Sequence, residues 1–114
     1  MEKHVLVIDR EKFIRSMFDN AMKDSPLKLM TVEGIQDHYY LVDDLKPVAV
    51  FFDILTCMGE FERIMACAEK TKLYAMGFPE DFDLVKTFEH KLAGKIEKPI
   101  PASQFRATIE RYCL

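Results

Sequence analysis

Two acids and a lysine stand where chemistry is possible. Val48-Ala49-Val50-Phe51-Phe52 is apolar without a break and stops on Asp53; Val5-Leu6-Val7-Ile8 stops on Asp9. Unbroken apolar runs of this length, rich in Val, Ile and Phe, are the pattern of strands buried on both faces of a parallel sheet. In an open α/β sheet, ligands bind in the crevice outside the carboxyl ends of the strands. Asp9, Arg10, Asp53, Met76, Gly77 and Lys98 all fall at such ends, so one crevice should gather them. Paired carboxylates suit a hard divalent cation such as Mg²⁺, which takes oxygen ligands. A carboxylate also serves as a phosphoryl acceptor, and a lysine opposite it can pair with the acid or with a bound phosphoryl group.

Five strands and five helices in alternation would position these residues. After His4–Asp9, the spacing of Phe13, Ile14, Met17, Phe18, Ala21 and Met22 predicts a helix from about Glu11 to Lys23, stopped by Ser25-Pro26. Leu27 to Val32 is a shorter strand closed by Gly34, and Ile35, Tyr39, Val42 and Leu45 line a second helix. After the central strand, Phe61, Ile64, Met65 and Ala68 mark a third helix, and Lys72 to Met76 a fourth strand. Pro79-Glu80-Asp81 opens a fourth helix carrying Leu84, Val85, Phe88 and Leu92 inward, with Gly94 as its stop. Lys95 to Lys98 is the fifth strand, and Pro101 and Ser103 open a last helix with Phe105, Ile109, Tyr112 and Cys113 facing inward. Such alternation implies a single α/β domain over 1–114: a doubly wound parallel sheet of flavodoxin-like (βα)5 type, strand order 2-1-3-4-5, with helices on both faces. The switch point then falls between the strands that end in Asp9 and Asp53.

The totals exclude several functions. A chain of 114 residues holds one core, and a net charge of −3 argues against a general nucleic-acid binder. The charge is uneven: residues 33–62 balance at −6 and residues 91–114 at +3. Three cysteines without ligand spacing suggest free thiols in a reducing compartment. With neither a signal peptide nor a spanning stretch in the pattern, a cytoplasmic location is expected.

Along nearly its whole length the chain resembles a response-regulator receiver domain of two-component signalling. The resemblance rests on Val5-Leu6-Val7-Ile8-Asp9-Arg10-Glu11, on Asp53-Ile54 after the third strand, and on Ala93-Gly94 and Lys98-Pro99 flanking the fifth. It implies Asp53 as phosphoacceptor, Lys98 as the conserved-type lysine of the family's site, and Mg²⁺ held by acids including Asp9 and Asp53. The departures from the pattern are specific. The second acid of the first-strand pair corresponds to Arg10, the hydroxyl residue ending the fourth strand to Met76, and the aromatic switch residue to Lys95. Thr56-Cys57-Met58-Gly59 replaces the usual loop after the phosphoacceptor.

The expected function is therefore that of a divergent, stand-alone pseudo-receiver, a non-enzymatic signalling domain that works by protein–protein interaction without normal Mg²⁺-dependent phosphorylation. Its crevice is expected to be filled by Arg10, paired with Asp53, and by Met76, because an arginine neither ligates a cation nor loses its charge. Lys98 is expected to point at Asp53 as well. Metal binding at Asp9 and Asp53 is then weak or absent, and no cofactor is expected. The last helix closes the chain, so an attached output domain is not expected; the face of the fourth helix, fifth strand and fifth helix is the expected partner surface. The alternative is an active receiver phosphorylated on Asp53 by a histidine kinase, with Mg²⁺. A flavodoxin-like small-molecule binder is disfavoured, because no Gly-rich phosphate loop follows the first strand.

Overall fold

The computed structural model describes residues 2–114. Its sheet contains β1 (Lys3–Ile8), β2 (Leu27–Val32), β3 (Ala49–Asp53), β4 (Lys72–Gly77) and β5 (Gly94–Glu97). The order is β2-β1-β3-β4-β5 and every pairing is parallel, as the alternation predicts. The helices are α1 (Lys12–Ala21), α2 (Tyr40–Leu45), α3 (Phe61–Ala66) and α4 (Phe105–Cys113).

Period-two alternation along the central strands sends their side chains to two separate cores. Leu6, Ile8, Val50, Phe52, Leu73 and Ala75 face α2, α3 and the segment before β5. Val5, Val7, Phe51, Tyr74, Met76 and Ile96 face α1 and α4. Phe18 of α1 meets Phe105 of α4 edge-on at 4.6 Å between ring centroids, closing the second core. Both cores are therefore dry, and the polar ends of β1 and β3 are left as the place where charge can be used.

Three predicted elements differ from what forms. The stretch predicted as a fourth α-helix is a 3₁₀ helix over Pro79–Lys91. A repeat of three puts Phe82, Val85 and Phe88 on one face against the core, whereas Leu84, expected inward, is exposed. Gly94 is not a helix stop but the first residue of β5: a Cβ there would meet the Tyr74 ring at 3.0 Å, so the strand approaches Tyr74 only with a glycine. The second helix is shorter than the apolar spacing suggests, because residues 36–39 form turns before Tyr40. On α1, Phe13 is 71% exposed rather than inward. Among the described residues no helix is long and apolar enough to cross a membrane.

Candidate functional site

Backbone hydrogen bonds between neighbouring strands fix the site residues before any side chain acts. The Asp9 N–H donates to the Val32 carbonyl (3.0 Å), Ile54 N–H to Met76 (2.9 Å) and Lys98 N–H to Gly77 (2.8 Å). Asp9, Asp53 and Lys98 are thus held at the carboxyl ends of β1, β3 and β5 around one crevice. The Lys98 Nζ donates to Asp9 Oδ2 at 2.6 Å and to Asp53 Oδ1 at 2.8 Å. The Lys98 side chain is 9% exposed and that of Asp9 0%, so the ion pairs are screened little by water.

The remaining carboxylate oxygens are also occupied. Asp9 Oδ1 accepts from Glu11 N–H at 3.0 Å, while Asp53 Oδ2 accepts from Thr56 N–H at 3.0 Å and from Thr56 Oγ1 at 2.7 Å. The Thr56 hydroxyl accepts in turn from Arg10 N–H at 3.0 Å, and the Arg15 guanidinium donates to the Asp9 carbonyl at 2.8 Å. The cluster Asp9–Asp53–Lys98 carries net −1 in a largely dry place. Burial pushes the Asp9 carboxyl above its ordinary value, with the Asp53 charge adding to the shift and Lys98 partly offsetting it. Burial opposes the charge on Lys98, but hydrogen bonds to Asp53 and Asp9 outweigh it and raise the lysine above 10.5.

The crevice gathers Asp9, Asp53 and Lys98 but leaves out the Arg10 side chain. Arg10 is exposed, and among the described residues its guanidinium makes no ion pair. The expected Arg10–Asp53 pair is therefore replaced by Lys98–Asp53, because the primary amine reaches both buried acids while Arg10 turns toward solvent. Met76 is fully buried in the α1/α4 core cluster. Lys95 is a surface residue that pairs with Glu89. Cys57, buried below the crevice, is pushed up to about 12 by burial and then by Asp53, Glu60 and Asp9, so it stays a thiol and is no nucleophile at neutral pH.

Thr56 is the site residue that the residue pattern does not single out. Its signal is local: an acid at a strand end followed three residues later by a hydroxyl, the spacing by which side chains satisfy turn N–H groups. Thr56→Val should keep its N–H bond to Asp53 but lose the hydroxyl bridge to Asp53 and Arg10. A stability loss of about 1–2 kcal/mol is expected in urea titration, with Asp53 and Arg10 amide shifts in NMR spectra; an unchanged midpoint would show that water replaces the hydroxyl.

A cation entering the crevice would meet Lys98 between the two acids and would have Arg10, not a third acid, beside it. All four oxygens of the two acids already accept hydrogen bonds. Among the described residues no group of three or more His, Cys, Asp or Glu is placed to hold a metal ion.

No protein-family model matches the chain, and no curated protein matches it in sequence. Solved structures do. The signal receiver domain of a putative LuxO repressor protein from Vibrio parahaemolyticus superposes with a TM-score of 0.81 at 18% identity, covering 98% of this chain and 90% of that one. The chain has the receiver-domain fold. The chemotaxis response regulator CheY4 of Vibrio cholerae gives 0.78 at 18% identity over 98% and 99% of the two chains. A response regulator from Thermotoga maritima gives 0.75 at 17% identity over 98% of each. The receiver fold places Asp9, Asp53 and Lys98 at the carboxyl ends of its strands, where the chain's own hydrogen bonds hold them.

Proposed function

We propose that this domain is a divergent receiver-type signalling module that acts by protein–protein contact, with its crevice held by Lys98 rather than by Mg²⁺-dependent phosphorylation. The observation that carries this reading is that every carboxylate oxygen of Asp9 and Asp53 has an internal partner: Lys98 bridges the two acids, and Thr56 and the Glu11 N–H bond the oxygens that remain. Attack by Asp53 on a phosphoryl group would compete with Lys98 at Oδ1 and with both Thr56 bonds at Oδ2, and the cation that assists transfer needs carboxylate donors of its own. Arg10, where a second acid would add a ligand, adds positive charge instead.

Exposed apolar side chains crowd the rim of the same crevice and support a contact function. Phe13 at the start of α1, Leu55 and Met58 after β3 and Phe78 after β4 are all exposed. The face made by the 79–91 segment, β5 and α4 exposes Leu84 among charged residues, which suits a weaker, electrostatic contact. A signalling protein with an apolar contact face is the partner this rim fits, and no substrate turnover by the domain itself is part of the reading.

Intact mass after treatment with acetyl phosphate and Mg²⁺ tests the proposal, with Asp53→Asn as control. No adduct is expected under conditions that fully modify an ordinary receiver. An adduct of about 80 Da on the wild type and not on Asp53→Asn would replace this reading by that of an active phosphoacceptor, phosphorylated by a histidine kinase.

A further inference from the structure

The opposite end of the sheet carries charge of the other sign. Because all five strands are parallel, their first residues lie together, far from Asp9 and Asp53. A cavity of about 710 Å³ opens there, lined by Lys3 of β1, Lys46 and Pro47 before β3, Lys70 and Lys72 around the start of β4, and Tyr112 of α4. The lining side chains include four lysines and no acid, in a chain of net charge −3. Lys70 is neutralised by Asp43 at 2.6 Å, whereas Lys3, Lys46 and Lys72 form no salt bridge with a carboxylate among the described residues.

Two further observations bear on the placement of the cations. The start of β3 lies between β1 and β4, so Lys3 and Lys72 flank it on the same sheet face, two strand spacings apart and two residues offset, roughly 12 Å between backbones. Cys113, buried beneath, is pushed up to about 11 by burial, with Lys3 and Lys72 partly offsetting the shift. Lys46 is held in the left-handed region at φ 47°, ψ 57°, where it ends α2. Glycine or asparagine is the favoured residue for that conformation, and a lysine there accepts a local penalty while supplying a third charge.

We propose that this cavity binds a small ligand carrying a di- or triphosphate group. Three unpaired ammoniums around one open basin match three to four closely spaced negative charges, and the basin has the volume of a small molecule. The lysines stand exposed around an open basin, with Pro47, Val48, Ala68 and Tyr112 beneath them as its less exposed floor. The inference concerns a site distinct from the carboxylate crevice and does not depend on whether Asp53 accepts phosphate.

NMR titration of the whole chain with pyrophosphate, ATP and AMP tests it. Saturable shifts at Lys3, Lys46 and Lys72 with pyrophosphate and ATP are expected, with AMP weaker. Equal affinity for pyrophosphate and ATP would make the phosphate chain the determinant; tighter ATP binding would add the nucleoside as a recognised part. Lys46→Gly removes a cation and the backbone strain together, so the fold should be retained while pyrophosphate affinity falls about fivefold. Adding Lys72→Gln should lower it about fivefold again. Absence of saturable shifts at millimolar ligand, or affinity unchanged in Lys46→Gly/Lys72→Gln, overturns the proposal. So does binding of an oligonucleotide without binding of pyrophosphate.

Discussion

Lys98→Met is expected to lower the unfolding free energy by about 3–5 kcal/mol, the cost of leaving buried charge without its partner. The isosteric side chain keeps the packing and removes the ammonium, so Asp9, fully buried, and Asp53, 6% exposed, face each other uncompensated. That is a large share of the stability of a small domain, about 5–15 kcal/mol in all. A urea midpoint near that of the wild type at pH 7 would show that water reaches the acids and screens them. Asp9→Asn in the Lys98→Met background should recover much of the loss, because one of the two facing charges is then gone.

The pH dependence of this loss has a definite sign. Lys98 is raised above 10.5 in the folded state, so its contribution is fully present below that value and disappears as pH rises through the folded value. The difference between wild type and Lys98→Met should therefore shrink in alkali. In acid it should shrink as well. Asp9 is raised above 3.8 on folding, so the folded state takes up its proton first and the strain of the buried carboxylate is relieved between that raised value and pH 3.8. Urea titrations across the two windows measure both limbs; a difference that grows in acid would reverse the assignment for Asp9.

Arg10→Asp is expected to create Mg²⁺ binding, with none expected for the wild type in the same titration. The change removes one positive charge and adds a third carboxylate next to Asp9 and Asp53, a swing of two units beside a divalent ion. Even at water-like screening each unit counts for about 2 kcal/mol against a divalent ion at about 4 Å, so affinity should rise roughly a thousandfold. Calorimetric or NMR titration with MgCl₂ reads the gain. Binding still undetectable in Arg10→Asp would place the obstacle in the Thr56–Gly59 loop and the Lys98 bridge, since Lys98 would have to yield an oxygen of each acid before a cation could enter.

The order of the strands and the residues at their ends were legible in the chain because one physical signal governs both. A strand buried on two faces tolerates no polar residue until it emerges, so Asp9 and Asp53 mark the ends of β1 and β3 by ending their apolar runs. The short connections and right-handed crossovers then leave few topologies, and the observed 2-1-3-4-5 order is the one the alternation favours. Lys98, one residue past β5, followed from the same logic.

The sequence already predicts Lys98 pointing at Asp53; tertiary structure decided that Arg10 does not join it. Both residues stand at strand ends; the placement of the chain after β5 brings the Lys98 Nζ between the two acids, and Arg10 is left in solvent. The stretch Pro79–Lys91, whose apolar spacing predicts an α-helix, forms a 3₁₀ helix with Phe82, Val85 and Phe88 against the core. The lysine cavity at the amino ends has no local signature, because Lys3, Lys46 and Lys72 come from three separate strands' beginnings. Local pattern sets what each segment buries; contacts between distant segments set which charges share a site.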